Sequence, residues 1–382
     1  MKHSSSFPLT AAQQDIWLDQ LRQVDSPLYN IGGYADLKGP FQPELMQRTV
    51  EALVRKHDVL RTVLSLEGSS DGLPLQYFDR DWPVQLAFHD LSAEADPLAT
   101  ALARIHWQMQ QPFKLSGERL CRFSLFRLSP EHHLMQAEAH HLILDGWGFA
   151  QLSQSLGSLY SALARGEQPG PGAPSFVDFI EDDARYQQSS RYARDRDYWL
   201  AKYQSLPEPL LRPRHRPGQE AGTPGATLVQ AFPAALHERM KALGTSTGAS
   251  AFHVLLAALH VYFARTGQRD QWVLGMPVLN RPNAAFKVTL GCFTQVSAVH
   301  MDFGRELSFE ALVAAVRDVL KQDYRHQRFP LSELNRALGL LREDRGQLFE
   351  LTLSYELEDL QYRYGDAVAS SVKVSNRHEP TP

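Results

Sequence analysis

Residues 121–148 read CRFSLFRLSPEHHLMQAEAHHLILDGWG, and this stretch decides the fold class. Residues 121–128 form an apolar, strand-like run. Ser129-Pro130-Glu131 is a turn, and residues 133–141 return as a second strand. Residues 148–165 then carry helical spacing and stop near Gly166. A hairpin followed directly by a helix points to an α/β class. Upstream, the pattern predicts helices over residues 10–22, 43–61 and 97–110, the second opened by a proline in its first turn. Downstream, the Gly- and Pro-rich residues 166–174 form a crossover. Helices follow over residues 176–204, 234–243, 249–266 and 309–327, with strands over 271–278, 291–302 and 348–357. Residues 207–227 hold the basic cluster Arg212-Pro213-Arg214-His215-Arg216 and read as a solvated loop.

The chain has 382 residues, more than one core of ordinary size accommodates, so two units are expected. An apolar fraction of 43% and a charged fraction of 21% place it among soluble globular proteins. The net charge is −4 and no long basic run exists, which gives nucleic-acid binding no electrostatic basis. Cys121 and Cys292 sit singly in apolar runs, so neither a disulfide framework nor a thiolate metal site is expected. A reducing cytoplasm is the simplest setting. No apolar run is long enough to span a bilayer, and residues 1–8 lack a signal-peptide core.

The chemistry concentrates at His140-His141-Leu142-Ile143-Leu144-Asp145-Gly146. Adjacent residues of a strand point to opposite faces, so the two imidazoles cannot chelate one ion without distortion. No metal is therefore expected. On this reading His141 shares its face with Ala139 and Ala137, which leave room for a substrate arm. His140 shares its face with Glu138 and Gln136, which suits a hydrogen-bonded structural role. Asp145 can pair with an arginine and fix the loop. Gly146 permits close backbone approach or an unusual dihedral, and its N–H can face charge developing on a carbonyl oxygen.

Together with Trp147, the stretch resembles the active-site motif of condensation domains of nonribosomal peptide synthetases, in the chloramphenicol acetyltransferase-like superfamily. Five further segments resemble the family's motifs, in the family's order. They are Leu9-Thr10-Ala11-Ala12-Gln13 with Ile16-Trp17, the run from Arg55 to Thr62, Phe176-Val177-Asp178-Phe179, Leu290-Gly291-Cys292-Phe293, and the run from His326 to Pro330. Gln295 departs from the asparagine usual in the fifth motif. The chain also ends at Pro382, where family members usually continue with another strand and helix.

The resemblance implies a two-lobed, V-shaped α/β fold, each lobe a mixed sheet flanked by helices, with a tunnel between the lobes. The lobes would span residues 1–175, carrying the motif, and 176–382. His141 and Gly146 would be catalytic. His140, Asp145 and Arg281 would support the site, Arg281 pairing with Asp145. No bound cofactor is implied, since substrates arrive on phosphopantetheine arms or coenzyme A. The partners would be downstream adenylation and peptidyl carrier domains, and an acyl-coenzyme A or acyl carrier protein donor.

The run from Ser26 to Tyr34 resembles starter domains, which N-acylate a carrier-bound amino acid with a fatty acyl group. The opening motif begins nine residues into the chain, which leaves no room for an upstream carrier domain and fits a starter. An elongation domain, a free acyltransferase using acyl-coenzyme A and a silent docking scaffold are the alternatives. No Glu-Gly-His-Gly-Arg-type motif of epimerization domains occurs, and the intact histidines exclude a cyclization domain.

Overall fold

The structure, a computed structural model, describes residues 5–67, 69, 72–81, 83–170, 172–211, 225–267, 269–304, 306–343, 345–356 and 361–378. The basic cluster from Arg212 to Arg216 lies outside the described residues.

The hairpin of residues 121–148 forms the middle of a six-stranded sheet. Its strands are Cys121–Ser129 and His132–His140, paired antiparallel. Asn30–Lys38 lies antiparallel on the other side of His132–His140. Ala367–Lys373 and Gln361–Tyr364 extend the sheet beyond it, and Leu86–Asp90 closes the far edge as the one parallel pair. The central strand is buried on both faces after His132, as a strand covered by helices on each side must be.

One face of this sheet packs on the helices Pro43–Lys56 and Gly146–Ala164. Met46, Val50 and Leu53 are fully buried there. The other face packs on Pro97–Met109 through Ile105, Met109, Phe126 and Leu134. A second layer is built on the antiparallel pair Gln271–Val278 and Gln295–Asp302. Helices Ala251–Thr266 and Phe309–Asp323 cover it around the fully buried Trp272. No single helix among the described residues is long and apolar enough to cross a membrane.

The α/β class is what the sequence pattern implied, and mixed sheets flanked by helices are what the resemblance implied. Three of the differences bear on how the layers are joined. Residues 361–378 do not belong with the second half, because their strands complete the first sheet beside Asn30–Lys38. Of the strand expected over 348–357, the described residues 348–356 form only a bridge between Thr352 and Gly275, closed by hydrogen bonds from Gly275 N–H to Leu351 and from Leu353 N–H to Gly275. The strand expected over 291–302 begins only at Gln295, since the N–H groups of Phe293 and Thr294 are committed to a side chain.

His133 is a buried histidine with no hydrogen-bond partner at either ring nitrogen among the described residues. Its ring lies tilted by 40° against that of Phe41, with centroids 4.8 Å apart. Burial pushes its pKa down to about 4, below the ordinary histidine value. Between about 4 and the ordinary value of about 6.5, the unfolded chain therefore binds a proton that the folded chain does not. Stability from this residue is lost as pH falls through that window. His133→Leu should raise stability by about 1 kcal/mol at pH 7, because an orphaned buried polar group is removed. The advantage should grow between pH 7 and pH 5 in denaturant unfolding curves. An advantage that shrinks on acidification would contradict this.

Candidate active site

The motif is the connection between the central strand and the helix Gly146–Ala164. The strand ends at His140, and its ladder is continued by His141 N–H donating to the Tyr29 carbonyl at 2.8 Å. Asp145 caps the helix, its Oδ1 accepting from Gly148 N–H at 2.7 Å. The carbonyl of Leu142 between them accepts from the Gln13 amide at 3.0 Å, which ties the first motif to the histidines.

Asp145 is fully buried, and its Oδ2 accepts from four donors. They are Arg281 Nη1 at 2.7 Å, Phe293 N–H at 2.9 Å, and Thr294 N–H and Oγ1, each at 3.0 Å. Arg281 is equally buried. It lies 3.9 Å over the Phe293 ring and donates to the carbonyls of Phe286 and Gly291. Burial opposes the charged carboxylate, but the Arg281 charge and these hydrogen bonds outweigh it and hold its pKa below the ordinary value. The remaining motifs meet around the crossover helix Val177–Gln187. Asp58 accepts from Phe176 N–H, Asp183 from Ala11 N–H, and Arg328 pairs with Asp182 at 2.9 Å.

The two histidines are in different states of engagement. His140 is buried, with Nδ1 accepting from Leu142 N–H at 3.2 Å and Nε2 facing Gln20 Oε1 at 3.3 Å. Nε2 therefore carries the proton, and burial pushes the pKa down to about 3. Both nitrogens are committed, so this ring has none to offer a metal or a substrate. His141 is only partly covered; its Nδ1 is buried and makes no hydrogen bond to another described residue. Burial lowers its pKa, with Asp145 and its own carbonyl opposing. It is neutral at neutral pH.

Two sequence readings need correction. Ala137 and Ala139 leave no room beside His141, because both are packed into the main hydrophobic core. Gly146 has no unusual dihedral, since it is not among the residues of positive φ. A Cβ there would meet only Glu356 Oε1, at 3.7 Å, so the space before it is open. Gln295, where the family carries asparagine, is buried with its side-chain amide against the carbonyls of Gln327 and Arg328, at 3.2 and 3.1 Å, an environment that assigns the amide nitrogen to that side. The longer side chain links the fifth and sixth motifs. Thr294, Gln20 and the contact of Tyr29 with both histidine rings were not read from the sequence. Only the fold brings these residues together.

The α/β layers and the strand-end histidine over a buried Asp–Arg pair define an acyltransferase-like class of site. The profile of the Condensation domain family matches residues 3–379, and the chain belongs to that family, whose members form amide bonds in peptide synthetases. It is 31% identical over 334 residues to the phosphinothricin tripeptide synthetase of Streptomyces viridochromogenes, covering 86% of this chain and 30% of that one. It is 27% identical over 336 residues to the isonitrile lipopeptide synthase of Streptomyces coeruleorubidus, covering 87% of this chain and 22% of the relative. Across eight curated relatives that it matches, the chain spans between 4% and 30% of their length. Among solved structures it is similar to the starter condensation domain of rhizomide synthetase in complex with C8-CoA. The TM-score is 0.83 and the identity 26%, over 98% of this chain and 84% of that one. The first condensation domain of the calcium-dependent antibiotic synthetase shares the fold, with a TM-score of 0.83 at 23% identity, over 99% of this chain and 86% of that one.

Two glycines of the site should respond oppositely to alanine. A Cβ on Gly291 would lie 2.3 Å from the Phe176 ring, whereas one on Gly146 meets no such obstacle. Gly291→Ala should cost about 1–3 kcal/mol of stability through overpacking. Gly146→Ala should unfold with the wild-type midpoint within about 0.5 kcal/mol, as a substitution free of such clashes does. Thermal unfolding of the two variants checks both.

Proposed function

We propose that this chain is a starter condensation domain. It transfers a fatty acyl group from a thioester, on coenzyme A or an acyl carrier protein, to the amine of a carrier-bound amino acid. The observation that carries the reading is the state of His141. It is a neutral, partly exposed imidazole whose buried Nδ1 is not taken up by any other described residue, on a loop clamped by a buried ion pair.

In the reaction the amine nitrogen bonds to the thioester carbonyl carbon and the carbon–sulfur bond breaks. The amine's proton ends on the departing thiol. A neutral His141 accepts that proton, or holds the amine through a hydrogen bond. The open space before Gly146 admits the reacting carbonyl, and the N–H at the start of the helix faces the oxygen as charge develops there. A thioester is already activated, so most of the acceleration comes from holding donor and acceptor together, worth on the order of 7 kcal/mol or more in favourable cases.

On this reading the two halves are lobes with a channel between them that passes His141. The partners are an acyl-coenzyme A or acyl carrier donor and the downstream adenylation and peptidyl carrier domains. Similarity to a starter domain solved with C8-CoA supports the subtype, as does similarity to a lipopeptide synthase. A related structure holds both C8-CoA and Leu-SNAC, with a TM-score of 0.85 at 25% identity.

The test offers the protein a series of acyl-coenzyme A donors with an aminoacyl carrier acceptor, read by mass spectrometry. N-acyl aminoacyl product is expected, and His141→Ala should lower kcat about 100-fold to 10,000-fold. The acid limb of the kcat/KM profile should fall below pH 6.5, because His141 is displaced downward from its ordinary value of 6.5. Condensation of an aminoacyl or peptidyl carrier donor, with every acyl donor ignored, would make it an elongation domain instead.

A further inference from the structure

The segment from Ser26 to Asn30 touches both histidines, yet nothing in the motif explains what holds it. Tyr29 supplies the carbonyl that fixes the His141 backbone at 2.8 Å. Its ring stands edge-on to the His141 ring at 6.4 Å and tilted against His140 at 6.0 Å. Its hydroxyl donates to Asp19 Oδ2 at 2.6 Å. Gln20, which faces His140, also donates to the Ser26 carbonyl at 3.1 Å. The segment thus frames the pair from one side.

Its second anchor comes from the far end of the chain. Asn376 Nδ2 lies 2.9 Å from the carbonyls of Pro27 and Leu28 and 3.0 Å from that of Asn30. These are the residues on either side of Tyr29. Two neighbouring features hold Asn376 in turn. Val374 N–H donates to the Gly32 carbonyl at 3.1 Å, and the strand Ala367–Lys373 is paired along Asn30–Lys38. Two N–H bonds shared among three carbonyls fix the curvature of the segment, and with it the pitch of the Tyr29 ring.

We infer that Tyr29 is a positioning residue for His141, locked by Asp19 at its hydroxyl and by Asn376 at its backbone. The segment after the last strand therefore belongs to the active-site architecture. This rests on the proposed role of His141, but its primary test does not need a substrate. Loosening either anchor should let the His141 ring move towards water, and its titration should move up towards the ordinary histidine value. The groups bearing on that ring are Asp145, which favours the imidazolium, the neutral His140, and the Tyr29 phenol, kept protonated by burial and Asp19. Asp15 and Cys292 lie on the Tyr29 side. Burial raises the Cys292 thiol and pushes Asp15 up to about 7, so an Asp15→Asn control separates the latter's titration.

The experiment is a pH titration of the nitrogen-labelled histidine rings by NMR in four proteins. They are wild type, Tyr29→Phe, Tyr29→Leu and Asn376→Ala. The His141 midpoint should rise by at least about half a unit in Tyr29→Leu and Asn376→Ala, and less in Tyr29→Phe, which keeps the ring contact. Where turnover is measured, kcat should fall on the order of 10-fold in Tyr29→Leu and Asn376→Ala, with KM within about threefold. An unchanged His141 midpoint in folded Asn376→Ala and Tyr29→Phe would overturn the assignment, even if Tyr29→Leu does not fold. Altered midpoints with no turnover by the wild type would leave the positioning intact and remove the proposed function.

Discussion

The Asp145 carboxylate organises the site because it is buried and yet must stay charged. Moving a carboxylate out of water is costly, and the cost is offset only where good donors surround it. Here five donors do so: one N–H of its own helix, and Arg281, Phe293 N–H, Thr294 N–H and the Thr294 hydroxyl from the second half of the chain. A small displacement of residues 291–294 would leave donors or acceptor unpaired. The interaction therefore specifies one arrangement of the two halves, whether or not it adds much net stability. The aromatic cluster of Phe176, Phe179, Phe286 and Phe293 fills the space around it, with Phe179 and Phe293 at 4.1 Å.

This clamp explains why two adjacent histidines differ in what they can do. Both are kept neutral by burial. His140 spends both nitrogens on Leu142 and Gln20 and so shapes the turn. His141 follows the last residue of the strand, with its backbone held and its buried Nδ1 not spent on any other described residue. A ring that gains or passes a proton needs a fixed position and an unspent nitrogen, and only the second histidine has both.

Much of this was legible in the sequence, for physical reasons. The hairpin of residues 121–141 announces itself because two apolar runs flank a Ser-Pro turn. The Asp145–Arg281 pair, 136 residues apart, came only from resemblance to a family, since no periodicity encodes it. The strand Asn30–Lys38 was missed because Gly32 and Gly33 dilute its strand propensity. The hairpin Gln361–Tyr364 and Ala367–Lys373 carried a readable signal in its Gly365-Asp366 turn. Residues 291–294 read as strand by composition, but their N–H groups serve a carboxylate supplied by a distant segment. Local pattern cannot reveal such a commitment.

The central claim is that Asp145 and Arg281 act as one unit. A double-mutant cycle on unfolding free energy tests it directly, using Asp145→Ala, Arg281→Ala and the double variant. Removing one partner of a buried pair strands the other's charge, at about 3–5 kcal/mol. The account predicts that each single variant loses about that much and that the double variant loses little more than either, a coupling of at least about 2 kcal/mol. Losses that simply add would contradict it, because two independent contacts could not be the clamp that places His141.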